Sequence, residues 1–561
     1  MKEKYDAIVI GSGVSGGWAA KELTEKGLDV LMLDRGRNIE HIKDYNTAMM
    51  NPWDFPHRNV KVAKEELKDY PIHNRTGTTI TEASKDMFSK DVDYPYLEEK
   101  RFDWLRSYQV GGKSITWGRV TLRLSDIDFE ANVKEGVAID WPIRYKDIAP
   151  WYDYVERFAG ISGSKEGLPH LPDGVFQKPF ELTCVDLHLK NAVQEKFADR
   201  YVIPPRQAHL TEPTDEQKAL GRSKCQARNM CWRGCPFGAY FSTQAATLPA
   251  AMQTGKLTVR PHSIVHEIIF DEKKGKATGV RVIDQLTKEN LEFSARIIFV
   301  NASAMASTFI LMHSKSSRFP NGLGNDSGAL GHYLMDHHFG AGAYGDVEGF
   351  EDQYYYGRRP NGFYIPRFRN IGRDKRNYLR GFGYEGDSKR GEAIPSSSFG
   401  VDFKNSLENP GPWNIDLNAF AETLPYEENK VWIEESEKDQ WGLPLLKFSA
   451  EIKDNERAMR KDMMNDAAEM LEAAGVKNVS TYDRDMGFGR CIHEMGTARM
   501  GHDRETSVLN KHNQVWGAEN VFVTDGACMT SSSNVNPSLT YMALTARAAD
   551  FAVKEMKAGR L

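Results

Sequence analysis

The pattern of apolar and polar positions in the first 35 residues predicts a strand, a helix and a second strand. Residues 6–10 form a short apolar run, typical of a strand buried on both faces of a parallel sheet. Ala19, Ala20 and Leu23 then lie on one side of a predicted helix whose other side is charged. Gly27 ends this helix, and residues 30–33 form a second apolar run. The chain therefore begins with a β–α–β unit.

Three glycines occupy the turn between the first strand and the helix. Gly11, Gly13 and Gly16 form the pattern G-x-G-x-x-G, in which one glycine makes a tight turn, one admits a pyrophosphate and one lets the helix pack on the sheet. The helix N-terminus offers free N–H groups to phosphates. Asp34 closes the second strand, where an acid can accept a hydrogen bond from a ribose hydroxyl. These features predict a dinucleotide site, without distinguishing FAD from NAD.

A second group of candidate residues lies in the last seventy positions. Residues 520–526 read as a strand that runs into a turn, and an apolar-periodic helix is predicted from 540 to about 556. Pro537 suits a first helical turn, which places Asn536 just ahead of a helix N-terminus, where it could face a flavin or a substrate. Upstream, His493 stands beside a glycine turn. Taken alone, such a histidine is more often structural than catalytic.

Composition narrows the class of protein. With 561 residues, of which 40% are hydrophobic, the chain can bury a sizeable core. The 73 basic and 78 acidic residues give a net charge of −5, which offers no support for nucleic-acid binding. No run of about 18 uncharged apolar residues occurs, so we expect no membrane-spanning helix. The first residues lack a signal-peptide core, and the direct expectation is a cytoplasmic protein.

Half of the six cysteines lie within eleven residues: Cys225, Cys231 and Cys235, the last followed by proline. A disulfide framework is a poor explanation, because three thiols leave one unpaired. Structural zinc normally takes four ligands at C-x₂₋₄-C spacing, and no obvious fourth ligand lies nearby. Iron–sulfur clusters are held by thiolates on short loops, and Cys-Pro is common in ferredoxins. An iron–sulfur cluster is the leading interpretation, with zinc and a reduced thiol patch as alternatives.

Several blocks of sequence together resemble the glucose–methanol–choline (GMC) family of flavoprotein oxidoreductases. They are residues 5–36, VGGKSITWGRV at 110–120, residues 295–314, GALGHYLMDHH at 328–338, HEMGTARMG at 493–501 and residues 521–552. The blocks occur in the family's order and span the chain. The resemblance implies that the dinucleotide is FAD and that the protein is an enzyme acting on CH–OH groups.

The resemblance also implies two catalytic residues. His493 matches the family's active-site histidine, and Asn536 matches a second position that is His or Asn among relatives. Oxidation of a secondary alcohol requires removal of the hydroxyl proton while the carbon's hydride goes to flavin N5. An imidazole suits a base at neutral pH. An amide cannot act as a base, but it can hold the same oxygen and fix the geometry of the C–H bond.

The cofactor-binding residues implied by the resemblance come from four separated segments. They are Gly11, Gly13, Gly16 and Asp34; Gly111, Gly112, Ser114 and Thr116; Val265; and Asp525, Gly526 and Asn536. Related pyranose oxidases carry a histidine in the 111–117 loop that bonds covalently to the flavin. Thr116 stands at that position here, so we expect FAD to bind without a covalent bond.

The spacing C-x₅-C-x₃-C-P resembles catalytic subunits of GMC sugar dehydrogenases, including glucose, fructose, gluconate and glucoside dehydrogenases. In those proteins the three cysteines hold a 3Fe-4S cluster. The resemblance implies a sugar or glycoside dehydrogenase, closest to glucoside 3-dehydrogenases, that oxidises a secondary hydroxyl and passes its electrons to an external acceptor. An oxygen-using sugar oxidase with structural cysteines is one alternative. A catalytically silent flavoprotein subunit of a larger complex is another.

The expected fold is α/β, with a Rossmann-like FAD-binding domain interleaved with an α+β substrate-binding domain built on an antiparallel sheet. The FAD-binding domain is predicted at 1–45, 100–125, 220–345 and 485–561, and the substrate-binding domain at 46–99, 126–219 and 346–484. Residues 414–420 alternate between polar and apolar, as in a half-buried strand. Asn414 and Asn418 on this strand are candidates to contact sugar hydroxyls, or they face solvent.

The expected partners follow from the same resemblance. They are a sugar or glycoside substrate, and a small subunit or a cytochrome-type electron acceptor. Related catalytic subunits can be exported folded with a small partner that carries the export signal, so a periplasmic location is the alternative to the cytoplasmic one.

Overall fold

The computed structural model of the chain describes residues 4–59, 62–77, 80–355, 361–391, 399–406, 408, 410–484 and 486–561. The strands in this part are β1 (Lys4–Ile10), β2 (Val30–Leu33), β3 (Leu97–Glu98), β4 (Leu257–Arg260), β5 (Ser263–Asp271), β6 (Lys276–Asp284), β7 (Asn290–Val300), β8 (His338–Val347), β9 (Phe363–Ile365), β10 (Phe382–Arg390), β11 (Trp413–Ala421), β12 (Lys430–Lys438), β13 (Pro444–Ser449), β14 (Lys477–Asp483), β15 (Gln514–Val515) and β16 (Ala518–Val523). The helices are α1 (Val14–Glu25), α2 (Pro71–Thr76), α3 (Asp126–Phe129), α4 (Ala131–Glu135), α5 (Tyr145–Ala159), α6 (Cys184–Lys196), α7 (Asp215–Ala219), α8 (Thr247–Gln253), α9 (Ala304–His313), α10 (Gly400–Ser406), α11 (Asp454–Ala473) and α12 (Ser538–Lys557).

The largest sheet has eight strands, and its path runs β15-β16-β7-β1-β2-β4, with β6 joining β5 to β7. Strand β1 lies at the centre and pairs in parallel with β2 and with β7. Its apolar run is buried on both faces, because Ala7 and Val9 pack with α1 and α12 while Ile8 and Ile10 join the core on the other side. The predicted β–α–β unit is confirmed.

The parallel pairing brings five strand ends to one edge of the large sheet, that of β4 at Arg260 among them. Strands β1, β2, β7 and β16 end at Ile10, Leu33, Val300 and Val523, so the loops that follow them meet in space. Ligands of open α/β sheets bind at this carboxyl edge. The edge is therefore where the first and last seventy residues of the chain combine.

The second sheet is antiparallel, in the order β14-β8-β11-β10-β9. Strand β11 alternates as predicted, since Ile415, Leu417 and Ala419 point into a core shared with α11 and the intervening positions are only half-buried. The two sheets and their covering helices confirm the expected α/β fold class. The proposed division of the chain into domains stays a prediction.

A smaller three-stranded sheet, β12-β13-β3, completes the strand arrangement. Among the described residues, no helix combines the length and apolar character needed to cross a membrane.

Candidate active site

The turn after β1 forms one end of a cavity at the carboxyl edge of the large sheet. A Cβ atom added to Gly11, whose φ is +91°, would lie 2.3 Å from the carbonyl oxygen of Asn301, so only glycine fits this tight turn. A Cβ on Gly16 would lie 2.0 Å from the carbonyl oxygen of Gly11. At Gly13 no described atom lies within 4 Å of the added Cβ. One glycine thus makes the turn, one admits the helix, and one leaves open space.

The same end of the cavity suits the phosphates and ribose of a dinucleotide. Helix α1 begins at Val14 without a side-chain cap, so its first N–H groups are available to an anion. Asp34 is buried and accepts hydrogen bonds from the Ser12 amide at 3.1 Å and the Gly36 amide at 2.8 Å. Burial raises the pKa of Asp34, and the bonds from Ser12 and Gly36 act in the opposite direction. A carboxylate held in this way can accept a ribose hydroxyl.

The cavity collects residues from all the predicted segments. The predicted residues that line it are Gly11, Gly13, Asp34, Gly112, Ser114, Val265, His493, Asp525, Gly526 and Asn536. Gly16, Gly111 and Thr116 are not part of this lining. Gly16 lies beneath the turn, and the Gly111 amide donates to Ser12 Oγ at 2.7 Å, so both support the lining residues. Thr116 is buried next to Trp117, which does line the cavity.

The loop at 110–117 is fastened to the glycine turn. A Cβ on Gly112 would lie 3.5 Å from the Gly13 Cα, so the two loops are in close contact. Thr243 ties them together, because its hydroxyl donates to the Gly13 carbonyl at 3.1 Å and its amide donates to Ser114 Oγ at 3.0 Å. The cavity is therefore walled by two glycine loops about one hundred residues apart in sequence.

The other end of the cavity holds His493 and Asn536. The backbone amide of His493 donates to Asp336 Oδ1 at 2.9 Å, and the amide of Cys491 donates to Asp336 Oδ2 at 3.1 Å. Asp336 is buried, and its pKa is raised to about 7 by burial and by the nearby Glu494. One carboxyl thus anchors the short segment that presents His493 to the cavity.

The histidine is held in its neutral form. Burial is the largest cause that lowers the pKa of His493 well below its usual range, and His337 and Lys113 lower it further. A neutral imidazole has one ring nitrogen free to accept a proton. His493 is therefore in the protonation state that a general base needs at neutral pH.

Asn536 is oriented by a buried acid from the second sheet. Its Nδ2 donates to Glu385 Oε1 at 3.1 Å. Burial raises the pKa of Glu385 to about 7, although the bond from Asn536 lowers it. In the structure, helix α12 begins at Ser538 with Pro537 as its N-cap. Asn536 thus stands one residue further from the helix than the sequence predicts for it.

The polar face of the antiparallel sheet lies above this end of the cavity. Asn418 is in register with Glu385 on the neighbouring strand, so the two side chains share one face. Its Oδ1 accepts the amide of Gly340 at 3.1 Å. Asn414 lies further along the same strand, where it donates to Asp346 at 3.1 Å. Of the two candidates, Asn418 is the nearer to Asn536.

Sequence reasoning missed several residues of the site. Glu385 belongs to no motif, and only strand pairing brings it to Asn536. Lys113 forms a salt bridge with Glu494 at 3.2 Å and links the 110–117 loop to the histidine segment. Tyr541 lines the cavity with a buried hydroxyl that has no partner. Glu385 apart, these residues do fall inside the sequence blocks quoted above, as do Asp336 and His337 in GALGHYLMDHH, but the blocks do not indicate which side chains meet.

The three clustered cysteines lie beside the 110–117 loop. The hydroxyl of Tyr240 bonds both to the carbonyl of Ile115 at 2.6 Å and to the carbonyl of Cys231 at 3.1 Å. Trp117 Nε1 donates to the carbonyl of Phe241 at 2.9 Å. The cysteine loop and the cavity wall are thus joined through residues 240 and 241. All six cysteines lie in the described part of the chain, and none of them is joined to another by a disulfide.

The surroundings of the cysteines suit an anionic, thiolate-bound group. Arg119 and Arg222 are buried, and among the described residues two guanidinium nitrogens of Arg119 and one of Arg222 have no hydrogen-bond partner. The pKa of Arg222 is lowered by burial to about 9, while Cys235 raises it. Burial is also the main cause that raises the pKa of Cys225 to about 11. Arg119 acts in the opposite direction and lowers the pKa of Cys225. Buried guanidinium groups beside the loop are able to balance the negative charge of a thiolate-ligated group, so the residues present fit one.

The spacing of the cysteines argues against a single metal ion. In the described part of the chain, His, Cys, Asp or Glu side chains bring three ligand atoms within 4.8 Å of one another in two groups, and the clustered cysteines form neither. Tetrahedral zinc, with Zn–S of about 2.3 Å, requires sulfur atoms roughly 3.8 Å apart. Ala227 and Asn229, both with positive φ, shape the loop between Cys225 and Cys231. The three sulfur atoms are therefore spread more widely than tetrahedral zinc requires.

Comparison with known proteins agrees with this geometry. Profiles of the GMC oxidoreductases match residues 5–339 and residues 425–545. The chain belongs to the GMC oxidoreductase family. GMC proteins bind FAD and act on CH–OH groups, which accounts for the dinucleotide cradle and for the histidine and asparagine at the far end of the cavity. The protein is thus a GMC flavoprotein that oxidises an alcohol or sugar.

Individual relatives have similar length. The 2-methyl-1,2-propanediol dehydrogenase of Mycolicibacterium austroafricanum is 28% identical, with 98% of this chain and 95% of the relative covered. The fructose dehydrogenase large subunit of Gluconobacter japonicus is 24% identical, with 99% and 98% covered. Among solved structures, pyridoxine 4-oxidase from Mesorbium loti has a TM-score of 0.60 at 15% identity, covering 97% of this chain and 98% of that one. This structural likeness supports the GMC fold.

The open space at Gly13 gives a direct test of the cofactor cradle. We expect Gly13→Ala to fold normally, because the added methyl group meets no described atom, but to bind FAD more weakly, because the methyl group fills space meant for the pyrophosphate. Flavin per protein after gel filtration, with circular dichroism as the folding check, measures both effects. Lys273→Ala, at the exposed hairpin turn between β5 and β6, is the control. Full flavin content in Gly13→Ala would contradict the assignment.

Proposed function

We propose that this GMC protein is a dehydrogenase that oxidises a secondary hydroxyl of a sugar or glycoside, at C3 in a glucoside, and passes the electrons to an external acceptor. Bound FAD would accept the hydride from the carbon, and a 3Fe-4S cluster on Cys225, Cys231 and Cys235 would relay single electrons. The observation that carries the proposal is the contact of the cysteine loop with the cavity wall through Tyr240. An enzyme that gives its electrons directly to oxygen has no need of this connection.

The chain's own residues supply binding and proton transfer. His493, neutral and exposed to the cavity, accepts the proton of the substrate hydroxyl. Asn536 holds the same oxygen, and its bond to Glu385 fixes the plane of the amide. Lys113 and Glu494 pair beside the histidine and keep the surrounding charge balanced. His493 and Asn536 both act on the alcohol oxygen, whatever the rest of the substrate.

The polar face of the antiparallel sheet, which reaches the cavity through the bond between Glu385 and Asn536, supports a polyhydroxylated substrate. Besides Asn418, the sheet presents Tyr482, whose hydroxyl donates to Asp416 Oδ1 at 3.1 Å. Asp416 is partly buried, and burial raises its pKa, which shows that its carboxylate is poorly hydrated. Amide, phenol and carboxyl groups in such a setting match the hydroxyls of a sugar. A small diol, the substrate named for the propanediol dehydrogenase, offers fewer hydroxyls to this face than a sugar does.

An exposed apolar surface around the cysteine loop supports transfer to a protein acceptor. Ile42, Met49, Trp53 and Trp232 are 49%, 65%, 67% and 40% exposed. Arg228, in the cysteine loop, binds the Ala48 carbonyl at 2.8 Å and so ties the segment that carries Met49 to that loop. Large apolar side chains exposed together mark interaction sites. We propose that a small subunit or a cytochrome-type acceptor docks here.

The proposal is tested by measuring substrate, acceptor and metal together. Purified protein is incubated with glucosides, free hexoses and 2-methyl-1,2-propanediol, with either a dye or oxygen as acceptor. We expect turnover of glucosides with the dye, little turnover with oxygen, a ketone at C3 by NMR, and iron and labile sulfide in amounts comparable to flavin. Iron-free protein with equal rates in oxygen and dye would favour the sugar oxidase. Turnover of the diol alone would overturn the substrate class, and no turnover at all would favour the silent subunit.

A further inference from the structure

We infer that His337 is a positioning residue that holds His493 in the tautomer whose Nε2 is free to take the substrate proton. The inference rests on the proposed role of His493 as the base. His337 lies 156 residues from His493 in sequence and does not line the cavity. Its ring nevertheless meets the ring of His493 edge-on, with the centroids 4.9 Å apart at 84°. The Ser533 carbonyl, the His337 ring and the His493 ring form a row of hydrogen-bonding groups, and this row fixes which ring nitrogen carries each hydrogen.

The first of these groups, the backbone carbonyl of Ser533, can only accept a hydrogen bond. His337 Nε2 lies 2.7 Å from the carbonyl oxygen of Ser533, and a carbonyl has no proton to donate. His337 Nε2 must therefore carry the hydrogen. The carbonyl is itself well fixed, because Ser533 is fully buried, has a φ of +59°, and donates its hydroxyl to Asp128 at 2.6 Å. The first proton position is thus set by the backbone.

The second proton position follows from the first. Burial lowers the pKa of His337 to about 4, so at neutral pH its ring carries one hydrogen, which is already placed on Nε2. Nδ1 of His337 therefore carries a lone pair and no hydrogen. It lies 2.8 Å from Nδ1 of His493. Two nitrogens at this distance share one hydrogen, which must belong to His493. Since His493 is also neutral, its Nε2 is left without a hydrogen.

A metal ion would be the other explanation for this group of rings. His337, Cys491 and His493 bring their ligand atoms within 4.8 Å of one another. Two nitrogens on one tetrahedral zinc ion lie roughly 3.3 Å apart, given Zn–N bonds of about 2.0–2.1 Å. The observed 2.8 Å is shorter and is the normal length of a hydrogen bond. The two rings are therefore joined by a hydrogen bond and not by a metal ion.

Both rings are carried by one anchor. Asp336 accepts the amides of His337 and His493, each at 2.9 Å. A shift of one segment therefore moves the other with it, and the distance between the rings is preserved. The titratable groups around His493 are His337, Cys491, Asp336, Lys113 and Glu494. Two members of this set contact Nδ1 of His493: His337 Nδ1 at 2.8 Å and Cys491 Sγ at 3.5 Å. The shorter contact, from His337, fixes the hydrogen, because two lone pairs would repel each other at that distance.

The experiment compares three substitutions in the holoenzyme. His337→Asn keeps an acceptor near the Nδ1 position, His337→Gln keeps a donor near the Nε2 position, and His337→Leu keeps neither. With a methyl glucoside as substrate, we expect the rate of flavin reduction to fall about 10- to 100-fold in His337→Leu and His337→Gln. This is a typical loss when a residue that orients a functional histidine is replaced. His337→Asn should recover most of the rate. KM and flavin content should change little in all three.

A second measurement does not depend on the substrate. In ring-¹⁵N-histidine-labelled holoenzyme, NMR should detect a neutral ring protonated on Nδ1 that disappears in His493→Ala and shifts to the other tautomer in His337→Leu. A His493 ring protonated on Nε2 in the wild type would overturn the inference. So would His337→Leu at full rate, or His337→Gln as active as His337→Asn, a comparison that stands if the leucine variant does not fold. Failure of the sugar assignment would instead appear as an inactive wild type with the NMR result unchanged.

Discussion

Replacing His493 by alanine is expected to lower kcat by about 10²-fold or more, because the hydroxyl proton then has no base to receive it. This corresponds to about 2.7 kcal/mol of lost transition-state stabilisation. KM should change little, since Asn536 still holds the alcohol oxygen. Rapid-mixing measurement of flavin reduction under anaerobic conditions isolates the step. Flavin content should stay at the wild-type value, because the dinucleotide cradle lies at the other end of the cavity.

The pH profile of the wild type extends this prediction. The pKa of His493 is lowered well below the ordinary 6.5, mainly by burial. The unprotonated base therefore persists below pH 6.5, and the acidic limb of kcat/KM should lie there. This limb should vanish in His493→Ala. His512→Ala is the matched control, because His512 stacks on Phe551 away from the cavity. Unchanged flavin reduction in His493→Ala would remove His493 from the catalytic role.

Replacing Cys231 by serine is expected to remove the metal while leaving the flavin chemistry in place. A hard hydroxyl is a poor substitute for a soft thiolate ligand of iron. Iron and sulfide should fall to background, and turnover with a protein acceptor should drop by at least about 10- to 100-fold. Removing a residue that only orients a metal ligand already costs that much, and Cys231 is proposed as a ligand itself. Flavin reduction by substrate should keep its wild-type rate, since His493 and Asn536 are untouched.

The matched control is Cys184→Ser. Cys184 is also partly buried, but it starts helix α6 on the far side of the antiparallel sheet's core. Its iron content and turnover should equal those of the wild type. Cys231→Ser with full iron content would show that the clustered cysteines are structural. Full turnover after loss of iron would show that the electrons leave by another route.

Local sequence was sufficient for the parts of the molecule that are made by neighbouring residues. The cradle of Gly11, Gly13 and Gly16 was predictable because strand, turn and helix follow one another within twenty residues, and each glycine's role depends on its immediate backbone. The clustering of Cys225, Cys231 and Cys235 was visible for the same reason. Helix α12 and the alternating strand β11 were also readable, since burial on one face imposes a period on the residues.

The contacts that complete the active site were not readable in this way. Glu385 reaches Asn536 across 151 positions, and His337 reaches His493 across 156. Glu385 belongs to no motif, and the blocks that contain His337 and His493 do not indicate that the two rings meet. Each contact depends on how the strands of the antiparallel sheet dock above the carboxyl edge of the large one. The link from Cys231 through Tyr240 to Ile115 is of the same kind.

The features that could be predicted depend on residues close together in sequence, whereas those that could not depend on contacts between distant residues. Glycine geometry, capping and apolar periodicity are properties of the local chain, so the amino-acid sequence alone specifies a dinucleotide fold, a candidate base and a candidate set of metal ligands. Burial and hydrogen-bond pairing over long separations exist only after the sheets have packed. The neutrality of His493, the orientation of Asn536 and the contact between the cysteine loop and the cavity wall are therefore consequences of the tertiary structure.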